Sequence, residues 1–418
     1  MVRFIKLQYL LKNSIHLNKI INSIMDYHKS IYRLSPREDK SITKIKLVSG
    51  NEFIFSDIYK TLSYYKNKID DCKKIGNWDK VKKKVNKYEL VNIIGTNNFR
   101  NDVKINTLSY SPLSRAFFKL VEIYKDIDII PEEYKNKSGY IANIAEGPGG
   151  FIEGVHKCRT NNNITDLHYA LTLYAKNSNI PGWEQIKRKK DHQLHKNPKI
   201  LLKTGSLYEL TTIRYFSNFF NKQKAFLVTA DGGFDYSSDF NNQELNSLKI
   251  IYAEIVQTLL IQEIGGTFVL KMFDLFTHFA LQMVYLLNIL YEEVYIIKPV
   301  TSRPANSEKY IVAKKFKGIN NSLLSSMIVG LNNWKNKYYY IQNIIIPEDF
   351  VEEIKKINIE FVNKQTKHIN KIISTMRSKK KVQIKDNESY SLKWLNDYNI
   401  LSKNEIKEMK LKKQLLKE

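Results

Sequence analysis

Cysteine is nearly missing from this sequence: Cys72 and Cys158 are its only two in 418 residues. That excludes a disulfide framework and fits a reducing compartment such as the cytoplasm. The eight histidines do not combine with cysteine at zinc spacing. His192 and His195, the nearest pair, read as solvated surface, so no metal site is expected. Long apolar runs are lacking too. The strongest, Phe276 to Leu290, falls short of the ~20 residues that span a bilayer and reads as a buried helix. Met1 to Leu11 holds Arg3, Lys6 and only short apolar runs, so no secretory signal is expected. No membrane association is expected either. Acidic residues are outnumbered, 42 against 67 basic ones.

That imbalance gives a formal charge of +25 and a pI near 9.6. Such an excess favours a polyanionic partner, nucleic acid or an anionic surface. Compositional drift in an AT-rich genome explains the charge alone equally well, since Lys, Asn and Ile are all abundant. The apolar fraction is 43%, enough to exclude a disordered chain. The length suggests two or three domains.

Three parts are discernible. Residues 1–105 are rich in Lys, Tyr and Asn, with a helix-like stretch around Ile58 to Val85. Residues 106–318 carry most of the glycine and the sharp strand patterns. From 319 to 418 the pattern is helical and basic, with a cluster at Arg377-Ser378-Lys379-Lys380-Lys381. In the middle part, apolar runs at Tyr140–Ala145, Leu167–Leu173, Ala225–Ala230, Gly266–Met272, Val294–Ile297 and Lys309–Lys314 predict strands. Helices are predicted to start at Phe151, from Asn242 to Gln262, and from Phe276 to Leu290. Strands alternating with helices imply an α/β fold with a mostly parallel, doubly wound sheet. Ligands of such sheets bind beyond the carboxyl ends of the strands.

The first strand runs into Glu146-Gly147-Pro148-Gly149-Gly150-Phe151. A glycine-rich turn there lets a ligand approach the backbone, and the following helix offers unpaired N–H groups. The glycines do not follow the dinucleotide spacing, and a purely structural tight turn is the plain alternative. Four further residues stand in telling settings. Lys119 lies in Ser114-Arg115-Ala116-Phe117-Phe118-Lys119-Leu120, and Asp231 ends a strand before Gly232-Gly233. Lys271 ends Gly266-Thr267-Phe268-Val269-Leu270-Lys271, and Glu308 precedes the last strand.

These motifs, in this order, resemble the FtsJ/RrmJ-type S-adenosylmethionine-dependent RNA 2′-O-methyltransferases, which carry a Lys-Asp-Lys-Glu tetrad in these settings. Asn86-Lys87-Tyr88-Glu89-Leu90, together with the glycine turn, Leu171-Thr172-Leu173 and Asp231-Gly232-Gly233-Phe234-Asp235, is similar to segments of the mRNA cap branch. The Lys/Asn/Ile-rich composition resembles versions encoded by large DNA viruses, which would place the protein in host cytoplasm or virion. The resemblance spans about residues 78 to 316. It implies a Rossmann-like methyltransferase domain between an N-terminal extension and a helical C-terminal region that is open to a protein partner.

The resemblance also implies S-adenosyl-L-methionine as cofactor and RNA as partner, with capped mRNA as the first reading. Ribosomal or transfer RNA is the alternative substrate. A catalytically silent RNA-binding or virion protein is the alternative class. Glu146 to Phe151, Leu173, Ser206, Leu207 and Asp231 are then expected around the cofactor. Relatives often carry carboxylates where this chain has Asn143, Leu173-Tyr174 and Ser206.

A ribose hydroxyl is a weak nucleophile, so the site must orient it and remove its proton. Lys271 is expected as the base, its pKa lowered by burial and by a neighbouring lysine. Lys119 would steer the hydroxyl, Glu308 would hold the lysines, and Asp231 would orient Lys271. A pair of internal salt bridges is the plain alternative for these four. Phe151 and Trp183 either line the cofactor pocket or pack. Lys187-Arg188-Lys189-Lys190 and the 377–381 cluster suit phosphate tracking or a solvated face. Tyr64, Tyr65 and Tyr338 to Tyr340 suit base stacking or ordinary packing.

Overall fold

The computed structural model describes residues 30–50, 53–94, 112–160, 164–174, 181–184, 193–233, 240–335, 339–378, 385–402 and 404–407. Its strands are β1 (Ser30–Arg33), β2 (Leu47–Ser49), β3 (Tyr140–Ile144), β4 (Leu167–Thr172), β5 (Ile200–Thr204), β6 (Ala225–Ala230), β7 (Gln262–Met272), β8 (Tyr291–Lys298), β9 (Lys309–Phe316) and β10 (Tyr339–Ile341). Eight of them form one sheet in the order β1-β8-β9-β7-β6-β3-β4-β5, and β2 pairs with β10 separately. The run β7-β6-β3-β4-β5 is parallel, while β9 lies antiparallel between β7 and β8.

Each strand of the parallel run alternates its side chains between two helical layers. Ala142 and Ile144 of β3 face one core cluster, and Ile141 faces the other. The first layer holds α6 (Leu210–Ser217), α7 (Gln243–Ile261) and α8 (His278–Leu290). The second is built from α4 (Ala116–Ile127) and α5 (Gly150–Thr160). Helix α8 starts two residues later than its apolar pattern predicts, because the Thr277 hydroxyl accepts from Ala280 N and caps it.

The two ends of the chain join this body. The predicted stretch from 58 to 85 forms two helices, α1 (Ser56–Ile75) and α2 (Trp78–Val85). Asn77 caps the second by accepting from Lys80 N. Strand β1 pairs antiparallel with β8 and covers that edge of the sheet. Two short helices flank the site, α3 (Glu89–Ile94) and, at the C-terminal end, α11 (Lys385–Asp397). Between β9 and α11 run α9 (Asn321–Asn332) and the long α10 (Glu348–Ser378). Ile69 and Cys72 of α1 pack with Ile369, Ile372 and Ile373 of α10. Trp394 and Leu395 of α11 pack on Phe117, Phe118 and Val121 of α4. No helix of the described residues is long and apolar enough to cross a membrane. Cys72 and Cys158 are free thiols.

Candidate active site

The chain leaves β3 toward β4 on one side and returns to β6 on the other, so a crevice opens beyond the carboxyl ends of β3 and β6. Asp231 follows β6, and its N–H donates to Ile144 O at 3.3 Å, pinning the two strand ends together. Lys271 lies near the end of the neighbouring β7. Its Nζ donates to Asp231 O at 2.6 Å and lies 3.3 Å from Asp231 Oδ1. Lys119 reaches in from α4, with Nζ 2.7 Å from Glu308 Oε1 and 2.8 Å from Oε2. The Tyr310 hydroxyl connects the halves, donating to Asp231 Oδ1 at 3.0 Å and accepting from Lys119 Nζ at 3.5 Å. All four residues of the expected tetrad therefore meet in one place, as two ion pairs joined by a tyrosine.

The electrostatics differ from the expectation for Lys271. Burial pushes its pKa down, but Asp231, Glu308 and Glu254 together outweigh burial and hold it above the ordinary lysine value. The expected lysine neighbour, Lys119, is instead paired with Glu308. Burial also pushes Glu308 up, yet Lys119 and Lys271 overcome that and hold it down at about 2. Lys271 thus rests charged in this structure.

Two more carboxylates sit beneath the crevice. Burial, then the charge of Asp231, pushes Glu146 well above the ordinary range. Its Oε1 accepts from Thr229, whose hydroxyl accepts from Asn143, whose own amide oxygen meets His168 Nδ1 at 3.0 Å. Asn143 therefore fills a polar chain across three strands. Burial pushes Glu254 of α7 up to about 8. Its Oε1 accepts from Gly232 N at 2.9 Å, and its buried Oε2 has no hydrogen-bond partner.

The glycine turn is shaped by close packing. A Cβ on Gly147 would fall 2.2 Å from Pro181 O, and one on Gly150 would fall 2.3 Å from Ser114 Oγ. Gly149 has φ +112, a conformation costly for any other residue. Pro148 follows a cis peptide bond. Phe151 is fully buried, its ring 5.6 Å from that of Tyr310. At the end of β4, Thr172 Oγ1 accepts from Gly147 N, and Leu173 and Tyr174 stand 39% and 58% exposed beside the turn in sequence register. After β5, Gly205 N donates to Thr172 O, Ser206 Oγ accepts from Tyr208 N, and Leu207 is buried. Trp183 donates to Lys203 O and packs with Ile152 and Ala170.

The loop 299–307 carries Glu308 into place. Ser302 Oγ donates to Glu308 Oε1 at 2.8 Å. Arg303 forks onto Glu89 at 2.8 and 3.0 Å, Asn86 donates to the same carboxylate, and Arg115 lies 3.4 Å from it. The Asn86-Lys87-Tyr88-Glu89 segment is thus the knot that fastens this loop. Three contributors escape the sequence reading: Tyr310, Glu254 and Ser302. Strand alternation from Glu308 to Tyr310 is the signal that points to Tyr310. The 187–190 cluster, Lys379 to Lys381, Phe234, Asp235, Tyr338, His192 and the His195 side chain lie outside the described residues. Tyr64 is exposed and Tyr339 buried.

The sheet order and the crevice define the Rossmann-like methyltransferase fold. Residues 112–316 match the family described as FtsJ-like methyltransferase. Relatives include cap-specific mRNA (nucleoside-2′-O-)-methyltransferase 2 of Pongo abelii. It is 26% identical over 76% of this chain and 41% of its own length. The protein of that name from Mus musculus is 27% identical over 63% and 36%. Cap-specific mRNA (nucleoside-2′-O-)-methyltransferase 1 of Mus musculus is 34% identical over 40% and 22%. The chain thus spans less than half the length of these relatives.

Proposed function

We propose that the chain transfers a methyl group from S-adenosylmethionine to a ribose 2′-hydroxyl of RNA, with capped mRNA as the substrate. The observation that supports this most is the assembly of Lys119, Asp231, Lys271 and Glu308, from four separate elements, at the crevice where such sheets bind ligands. The kinship with cap-specific relatives supports the cap as the substrate feature. A viral source rests on the Lys, Asn and Ile content alone.

The residues present fit a cationic donor. Asp231, Glu146 and Glu254 gather below the crevice, and the buried Glu254 Oε2 has no partner. The turn 146–151, Asp231, Leu173, Ser206 and Leu207 would hold the donor, without a carboxylate at the end of β4. When bound, S-adenosylmethionine supplies an activated methyl on a positively charged sulfur. A bound cationic donor would oppose the charged form of Lys271 and so favour its free amine. Lys271 would first release its resting proton to solvent, and its free amine would then accept the hydroxyl proton, while Lys119, fixed by Glu308, would orient the oxygen. Tyr310 positions both halves by its bond to Asp231.

The test compares methyl transfer to one short RNA bearing either a methylated guanosine cap or a 5′-triphosphate. Faster transfer to the capped RNA is expected. Equal rates would favour a ribosomal or transfer RNA substrate.

A further inference from the structure

Lys298 closes β8, just before the loop 299–307, and its backbone is in register with Ser30 of β1. Its Nζ turns back across the loop and donates to Asn306 O, Asn306 Oδ1 and Glu308 O at 2.7, 2.9 and 2.6 Å. These oxygens take up all three hydrogens of one ammonium. Asn306 Oδ1 lies 3.3 Å from Ser302 Oγ, and that hydroxyl donates to Glu308 Oε1 at 2.8 Å. A continuous polar chain thus runs from Lys298 through Asn306 and Ser302 to the carboxylate that pairs with Lys119.

The other fastenings of the loop do not replace this one. Glu122 and Glu89 hold its first half, at Val300, Thr301 and Arg303. Gln365 and Lys309 bond to Ala305 and Ser307. The loop's own bonds, Ser302 N to Pro299 O and Asn306 N to Arg303 O, close two small turns without joining its end to its start. Lys298 makes that join. Burial, then the charge of Lys309, pushes Lys298 down to about 7, with Lys119 adding to it and Glu308 and Asp274 opposing. A neutral amine has two hydrogens for three oxygens, so the ammonium form makes the complete set of bonds.

We propose that Lys298 is a positioning residue, which ties the end of the loop 299–307 to its start and, through Asn306 and Ser302, aims the Glu308 carboxylate at Lys119. Its part in catalysis rests on the proposed methyl transfer; its part in the loop does not.

The test begins with hydrogen exchange of segment 299–308 at pH 6, where the ammonium prevails. It compares wild type with Lys298→Met, which keeps an unbranched side chain and removes its hydrogen-bond donors. Exchange at the amides of Ser302 and Asn306 should quicken at least about tenfold. Methyl transfer should fall about tenfold in kcat, with affinity for S-adenosylhomocysteine unchanged. Because Lys298 acts through Glu308, the double variant Lys298→Met/Glu308→Gln should be no slower than Glu308→Gln alone. A residue that only stabilises the fold would add its own loss to that of Glu308→Gln. Should Lys298→Met fail to fold, Asn306→Ala cuts the same chain at its next link and carries the same expectations. Unchanged exchange in the loop, unchanged kcat, or additive losses in the double variant would overturn the proposal. A wild type that methylates no RNA would overturn the proposed function instead, and the exchange comparison would then decide the role of Lys298 alone.

Discussion

Lys271 is held charged by Asp231, Glu308 and Glu254, so the role as base proposed for it depends on the charge balance of the crevice. Lys271→Ala should lower methyl transfer by about 10²–10⁴-fold while cofactor affinity stays near wild type. Lys271→Arg should fail as well, because guanidinium does not release its proton in proteins. An arginine variant with nearly full activity would reduce Lys271 to a positioning charge. Tyr310→Phe removes the one hydroxyl that joins Asp231 to Lys119. It should cost about tenfold in kcat with little change in cofactor affinity. If kcat held and affinity fell, Tyr310 would be packing alone. The tetrad is legible in the sequence because each member ends a strand or sits in a characteristic segment. Glu254 is not, because it comes from the middle of a helix and its role depends on how α7 crosses the strand ends.

Four of the five parallel strands are legible because each is a compact apolar run whose side chains are mostly buried. Strand β5 is not predicted: Ile200–Thr204 is short and only half-buried, and it lies at the edge of the sheet. The antiparallel insertion of β9 between β7 and β8 is equally hidden, since strand direction is set by the connections and not by apolar pattern. The C-terminal helix α11 shows what only packing reveals. Trp394 is fully buried, its ring 5.8 Å from that of Phe118, and Nε1 donates to Glu122. Glu122 in turn accepts from Val300 N and Thr301 N, at the base of the loop that presents Glu308. Trp394→Ala should therefore cost about 3–5 kcal/mol in denaturant unfolding and reduce activity at temperatures where the protein remains folded. Unchanged activity with the expected loss of stability would sever α11 from the site.

Two buried ionisable groups contribute to how stability depends on pH. Burial lowers His168 from its ordinary 6.5 to about 4. The unfolded chain thus gains a proton that the native state refuses as pH falls from 6.5 to 4, and about 3 kcal/mol of stability is lost over that window. Urea midpoints should drop between pH 7 and pH 4.5, less steeply in His168→Gln; a flat profile would contradict the buried neutral histidine. Lys66 and Lys309 overcome burial to hold Asp274 at about 2, so its contribution persists to pH 4 and is lost only below that. These ion pairs tie α1 to the end of β7 and the start of β9. The central claim is that this assembly methylates ribose. Its most direct measurement is nuclease digestion and mass analysis of capped RNA after incubation with wild type and Lys271→Ala in the presence of labelled S-adenosylmethionine. The account predicts one methyl on a ribose 2′-oxygen of the capped RNA with wild type, and none with the variant. A methyl on a base, or the same product from the variant, would contradict it.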